Sequence, residues 1–213
     1  MQTYIFDFDG TLANSGKTGI LATQAAFKAF SFPIPEERVI NYYMGIPIEI
    51  SFKKMLPNYQ FSTQEFEDLL TCFRNFYRKY ESDNLTLFND IMPVLQSLNQ
   101  QGKLLYIVSS KHSTALLRNL ESLNIDQFFD LVVGSDHVQK FKPAPDGILA
   151  IINQHHLDPS QCVMIGDAIF DLQMGQAAGV HTCGVLWGAH DKKALSNEHP
   201  DFLLTTPQEL LSI

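Results

Sequence analysis

Short runs of apolar, largely β-branched residues alternate along much of the chain with longer stretches in which apolar residues recur every three or four positions. The runs are Thr3 to Phe8 (TYIFDF), Leu104 to Ser109 (LLYIVS), Leu131 to Gly134 (LVVG), Cys162 to Gly166 (CVMIG) and Thr182 to Leu186 (TCGVL). Apolar side chains on successive residues leave no face for solvent, so these runs predict strands buried on both sides of a sheet. Helices are predicted between them. Ile91, Val94, Leu95 and Leu98 share one helical face ahead of Gly102, a C-terminal cap, and Leu116, Leu117, Leu120 and Leu123 recur at the same period. Strand and helix in alternation imply right-handed crossovers, hence an α/β fold with a doubly wound parallel sheet.

One segment breaks the rhythm. Residues 14–83 contain no convincing strand, yet a bare loop of that length has no place in a compact domain. Ser62 to Glu65 fits a capping box, and Phe66, Leu69, Leu70, Phe73, Phe76, Tyr77 and Tyr80 then follow a helical stripe. Ile20 to Phe30 predicts another helix, with shorter ones over Glu36 to Tyr43 and Pro47 to Met55. The expected organisation is therefore a core built from residues 1–13 and 84–213, with a small helical unit, residues 14–83, inserted after the first strand.

Composition narrows the function classes. Across 213 residues, 15 Lys and Arg face 23 Asp and Glu, a formal charge of −8 that gives no general reason to approach a polyanion such as nucleic acid. No apolar run approaches the roughly 20 residues of a membrane helix, and the opening MQTYIFDFDG lacks a basic stretch followed by an apolar one. Cys72, Cys162 and Cys183 are an odd number in apolar settings, which reads as buried thiols in a reducing compartment, by default the cytoplasm. No nucleic-acid or membrane partner is expected, and oligomeric state is left open.

Candidate chemistry gathers where the strands end. Asp7 and Asp9 of Asp7-Phe8-Asp9-Gly10-Thr11-Leu12 stand at the carboxyl end of the first strand, where open parallel sheets bind ligands. Two like charges so close need a cation or a shared proton. Ser109-Ser110-Lys111 ends the second strand, and its hydroxyls and free amides can hold an anionic oxygen. Lys142, bracketed by Phe141 and Pro143-Ala144-Pro145, could carry a fixed ammonium to a phosphate. Asp167 ends a further strand and Asp171 lies one helical turn on, so with Asp7 and Asp9 they would form an acidic oxygen site of the kind Mg²⁺ prefers. Each element alone admits a plainer reading: solvated turn aspartates, ordinary N-caps, or a surface lysine before a Pro-initiated helix.

Together, and in this order, DxDGT, a strand-terminal Ser, a Lys and GDxxxD resemble the haloacid dehalogenase (HAD) superfamily of phosphohydrolases. Within it DGTLxxS, the Ser-Lys after the second strand, KPxPD, GDxxxDxxxGxxAG and GVxWG look most like the phosphoglycolate phosphatase and pyrophosphatase branch, with Asn14 departing from a common Asp. The resemblance spans essentially the whole chain and implies a Rossmann-like core with an α-helical cap. It further implies an Mg²⁺-dependent phosphatase of small phosphorylated metabolites. Asp7 would be the nucleophile and Asp9 the acid and base. Asp7, the Asp9 carbonyl and Asp167 would hold the metal, supported by Asp171, and Gly10, Ser109, Ser110 and Lys142 would bind phosphate. The Gly45-Ile46-Pro47 loop is the expected cap segment at the substrate, with Lys53 and Lys54 read as solvated helix residues. Asp9 argues against a dehalogenase or a phosphonatase. A pyrophosphatase or a sugar phosphomutase stays open, whereas the complete acidic and cationic set makes a non-catalytic binding domain the least economical reading. His155 and His156, adjacent on an expected helix, read as solvated surface, while Cys162, Cys183 and Trp187 read as packing residues.

Overall fold

The computed structural model describes residues 1–213. In chain order its elements are β1 (Thr3–Phe6), β2 (Ala13–Asn14), α1 (Gly16–Ala29), α2 (Glu37–Tyr42), α3 (Ile48–Met55), α4 (Thr63–Asn84), β3 (Thr86–Leu87), α5 (Ile91–Gln100) and β4 (Leu104–Val108). There follow α6 (Ser113–Ser122), β5 (Leu131–Val133), α7 (Asp146–His155), β6 (Cys162–Gly166), α8 (Ile169–Ala178), β7 (His181–Val185), α9 (Lys192–Asn197) and β8 (Phe202–Leu204).

Six parallel strands lie in the order β5-β4-β1-β6-β7-β8. From β1 the chain steps outward through β4 and β5, then returns to the other flank of β1 for β6, β7 and β8. This reversal opens a crevice beyond the carboxyl ends of the central strands, the place where such sheets take ligands. Every residue of β1 and β6 is buried because both sheet faces are covered. Tyr4, Phe6, Leu105, Ile107, Val163 and Ile165 pack on one face with Ile91 and Leu95 of α5 and Leu116 and Leu120 of α6. Ile5, Tyr106, Val108, Cys162 and Met164 pack on the other with Ile148 and Ile151 of α7 and Met174 of α8. Alternation along the strands thus serves two apolar layers, with about 1.5–3 kcal/mol favouring burial of each large side chain.

The helical segment α1–α4 has an apolar cluster of its own, centred on Ala26, Phe27, Phe52, Leu69 and Leu70. The Ser62 hydroxyl accepts the Glu65 N–H at 3.2 Å and starts α4, a cap worth about 1 kcal/mol. The two ends of the segment are tied side by side, because β2 and β3 pair antiparallel, Ala13 with Leu87 and Asn14 with Thr86.

Several details differ from the sequence reading. β1 ends at Phe6, so residues 7–10 leave the sheet, and Asn14 belongs to a strand, β2. A sixth sheet strand, β8, has only three residues at the sheet edge, too few to show a period. Leu117 faces solvent although its spacing suited the helical stripe. His156 is not helical: it caps α7 in the left-handed conformation at φ 52°. Nor is His155 solvated surface, since its ring meets Tyr106 edge-on at 5.0 Å and its Nε2 is buried. Cys72 is half-buried, unlike the buried Cys162 and Cys183.

Candidate active site

Asp7 is the first residue beyond β1, and its N–H still donates to the Ile165 carbonyl of β6 at 2.9 Å, which carries the strand register into the site. Its Oδ1 accepts from the Lys142 ammonium at 2.8 Å, while its Oδ2 is buried with no hydrogen-bond partner. Lys142 Nζ also donates to Asp171 Oδ1 at 2.7 Å, and Asp171 Oδ2 accepts the Ala168 N–H at 3.0 Å. Asp171 has both oxygens occupied. Asp167, just past β6, accepts from the Thr11 hydroxyl at 2.8 Å and from the Ala189 N–H at 2.7 Å.

Two glycines make room for that last carboxylate. Gly10 adopts φ +86° in the turn after β1, and a Cβ there would strike Asp167. A Cβ on Gly188, which closes the GVxWG stretch, would strike Asp167 as well. The intervening Trp187 donates from Nε1 to the Thr11 carbonyl at 2.9 Å, so it packs under the turn and pins it.

Asp7, Asp167 and Asp171 each bring a carboxylate oxygen within 4.8 Å of the others. Burial raises the Asp7 carboxyl well above the ordinary range, and the nearby Asp171 and Asp167 add to this against the opposing pull of Lys142. Burial, then Asp171, pushes Asp167 up to about 7. Lys142 stays ionised: burial opposes its charge, but Asp171 and Asp7 outweigh that and hold its pKa above the usual value. One ammonium faces three carboxylates, so the cluster has room electrostatically for a further cation, and an oxygen-only donor set suits a hard divalent ion.

The side chain of Asp9 turns away from this cluster. Its Oδ1 accepts from Lys111 Nζ at 2.9 Å and from the Tyr77 hydroxyl at 3.3 Å. Lys111 also donates to the Tyr77 oxygen and to Asn119 Oδ1, each at 2.9 Å. Asn119 Nδ2 donates onward to Glu81 at 2.8 Å, and Arg118 grips the same carboxylate with two bonds at 2.9 and 3.0 Å. Burial opposes the Lys111 charge, but Asp9 and Tyr77 more than offset it and raise its pKa. Burial followed by the Asp9 charge raises the Tyr77 phenol. Burial would raise Glu81, yet hydrogen bonds from Arg118 and Asn119 leave it below the usual carboxylate value.

Between the sheet end and the helical segment lies a cleft of about 490 Å³ whose walls include Asp7, Asp9, Ser109, Gly45, Ile46 and Arg78. Gly45 is held there by its carbonyl, which accepts from the Ser110 hydroxyl at 2.8 Å. Pro47 is buried at the start of α3 and does not line the cleft. Lys53 and Lys54 are exposed, Lys53 lying 4.7 Å over the Phe66 ring. A second seam contact joins α2 to the loop after β7: the buried His190 stacks on Tyr42 at 5.4 Å, and its Nε2 meets the Tyr42 carbonyl at 3.1 Å.

The structure thus gathers Asp7, Lys142, Asp167 and Asp171 into one cluster, with Gly10 against it and Ser109 in the adjoining cleft. Asp9 joins a different set, and Ser110 bonds the helical segment. Lys111 and Tyr77 are the residues sequence reasoning missed. Lys111 stood inside the Ser-Ser-Lys already singled out, and the Tyr77 hydroxyl was the polar exception in an apolar stripe.

The profile of the family described as haloacid dehalogenase-like hydrolase matches residues 4–185. Among curated proteins, pyrophosphatase PpaX of Bacillus pumilus (strain SAFR-032) is 29% identical over 213 residues, covering 100% of this chain and 96% of that protein. A haloacid dehalogenase-like family hydrolase from Streptococcus pneumoniae superimposes with a TM-score of 0.85 at 27% identity, covering 100% of this chain and 97% of that one. A Haemophilus somnus 129PT protein, assigned by prediction as a phosphoglycolate phosphatase, shares the fold with a TM-score of 0.91 at 21% identity, over 100% of this chain and 97% of its own.

Proposed function

We propose that this chain, which belongs to the haloacid dehalogenase-like hydrolase family, is an Mg²⁺-dependent phosphomonoesterase of small phosphorylated metabolites. The observation that carries the reading is Asp7 Oδ2, a buried carboxylate oxygen without a partner, on a residue that lines the cleft and is held from its other oxygen by Lys142.

In this reading the Asp7 oxygen attacks phosphorus and the bond from phosphorus to the ester oxygen breaks. Asp9 gives its proton to that oxygen, and the alcohol departs. Asp9, now a carboxylate, takes a proton from water as the water oxygen attacks phosphorus. The bond from phosphorus to Asp7 breaks, which releases inorganic phosphate and restores the Asp7 carboxylate. A carboxylate nucleophile thereby divides one difficult hydrolysis into two easier transfers. Lys142, Ser109 and the amides around Gly10 stabilise the charge on the phosphoryl oxygens without reorganising.

Asp7, Asp167 and the Asp9 carbonyl would hold Mg²⁺, with Asp171 spent on Lys142 and Ala168. When bound, the ion neutralises the excess carboxylate charge and the phosphate that meets it. Residues 14–83 act as a cap over the core of residues 1–13 and 84–213, a division supported by the separate apolar cluster and by the β2–β3 tie. The cap excludes bulk water and selects the leaving group through Gly45 and Ile46. No helix is long and apolar enough to cross a membrane, and three unpaired thiols support the cytoplasm as the location.

Pyrophosphate is a second reading, favoured by the pyrophosphatase name of the Bacillus pumilus relative and by Arg78, which lines the cleft with no acidic partner of its own. Phosphate release from glycolate-sized esters, sugar phosphates, pyrophosphate and p-nitrophenyl phosphate, with Mg²⁺ and with EDTA, tests both. Turnover undiminished by EDTA would remove the metal, and no turnover of any of these would remove the phosphatase.

A further inference from the structure

Two lysines stand at this site, and they have different partners. Lys142 lies under Asp7 and bonds two members of the carboxylate cluster. Lys111 has three acceptors for its three N–H groups: Asp9 Oδ1, the Tyr77 oxygen and Asn119 Oδ1, all at 2.9 Å. Its ammonium is also held 4.9 Å from the Phe8 ring centre and 4.6 Å from that of Tyr77. A lysine with every donor committed has none free for a substrate phosphate.

We propose that Lys111, set in place by Tyr77, is a positioning residue that fixes the carboxyl of Asp9 for proton delivery to the leaving group. This rests on the phosphatase reading above. Lys111 and Tyr77 both occupy Oδ1, and Oδ2 receives no hydrogen bond from the protein. Oδ2 is therefore the oxygen left free to carry and deliver a proton, and the rotamer that aims it is held from the opposite oxygen. Tyr77 belongs to α4, and Glu81, one helical turn on, anchors the same helix to α6 through Arg118 and Asn119. The acid is consequently aimed only while α4 is docked on the core, so closing the cleft and arming Asp9 are one event.

The test compares Lys111→Met and Tyr77→Phe with the wild-type enzyme on an alkyl phosphate, whose alcohol leaves poorly without a proton, and on p-nitrophenyl phosphate, whose phenolate leaves without help. General-acid assistance is worth about 100-fold or more, so Lys111→Met should lower kcat/KM, which reports the transfer to Asp7, for the alkyl ester by about that factor and for p-nitrophenyl phosphate by less than about threefold, whereas kcat also contains the Asp9-assisted attack of water and falls for both. Tyr77→Phe, which removes a single oxygen, should show the same split in kcat/KM at about a tenth of the size. A crystal structure of Lys111→Met should show the Asp9 side chain released from its rotamer. Equal losses of kcat/KM on both esters, no loss on either, or an Asp9 rotamer unchanged in the variant would overturn the positioning role while leaving the phosphatase intact. A wild-type enzyme inactive on both esters would remove the two readings together.

Discussion

The two charge clusters that meet at the cleft differ in balance. Around Asp7, three buried carboxylates share one ammonium, and one oxygen is left without a partner. Around Lys111, the charges of Asp9 and Glu81 are matched by those of Lys111 and Arg118, and the connecting bonds run unbroken from the core to α4. A balanced network is stable as it stands and so serves as a joint. An unbalanced one suits the proposed site, where a bound cation and phosphate would complete it, and in this it differs from a salt bridge.

The most drastic way to break the contrast is Asp7→Asn. It removes the proposed nucleophile and one surplus charge, and turnover should fall by about 10⁴-fold or more with no beryllofluoride captured at residue 7. Turnover within tenfold of wild type would show that the unpartnered oxygen is not the reacting one.

Next is the response to pH and metal, which should distinguish the clusters directly. Asp167 rises from an ordinary 3.8 to about 7 on folding, and Asp7 is raised in the same direction. The folded state then binds these protons more tightly than the unfolded chain does, so this contribution is full below pH 4 and is lost as pH rises toward about 7. Metal-free protein should therefore lose thermal stability over that window, and Mg²⁺ should raise the melting temperature by several degrees at pH 7.5 and little at pH 5. Equal shifts at both values would argue that the acids are not the ligands.

A smaller effect is expected from Arg118→Leu, which strands Glu81 at the joint. Unfolding should become easier by about 1–3 kcal/mol, by a similar amount with and without Mg²⁺. A loss that Mg²⁺ repairs would merge the two clusters into one. The smallest change should follow Arg78→Ala: KM for pyrophosphate should rise by less than about fivefold, with p-nitrophenyl phosphate unaffected. An equal rise for both substrates would place Arg78 outside leaving-group selection.

The unbalanced cluster was far more legible in the sequence than the balanced one. Asp7 and Asp167 sit just past strand ends, Lys142 in the loop that follows β5 and Asp171 in the first turn of α8, and strands buried on both faces advertise themselves through unbroken apolar runs such as CVMIG. The joint is assembled across the seam between α4 and the core, a distance relation that no local period encodes. Tyr77 fits the apolar stripe of α4 by spacing, and only the packed structure shows its hydroxyl reaching Asp9. Gly188 is similar, since its need for a bare Cα comes from a carboxylate 21 residues earlier, at Asp167. β8 escaped because three residues at a sheet edge carry too little pattern.

The antiparallel tie between β2 and β3 also bears on how the chain reaches its fold. Thr3 of β1 lies beside Leu104 of β4, about a hundred residues on, so the central strand pair must close a long loop. If the helices between the tie gather first around Phe27 and Phe52, the stretch left to close falls to about thirty residues, which lowers the entropic cost of that closure by about 1 kcal/mol. The tie then turns a distant pairing into a nearer one, and the residues that cover the cleft in the finished protein would speed the meeting of the two strands beneath it.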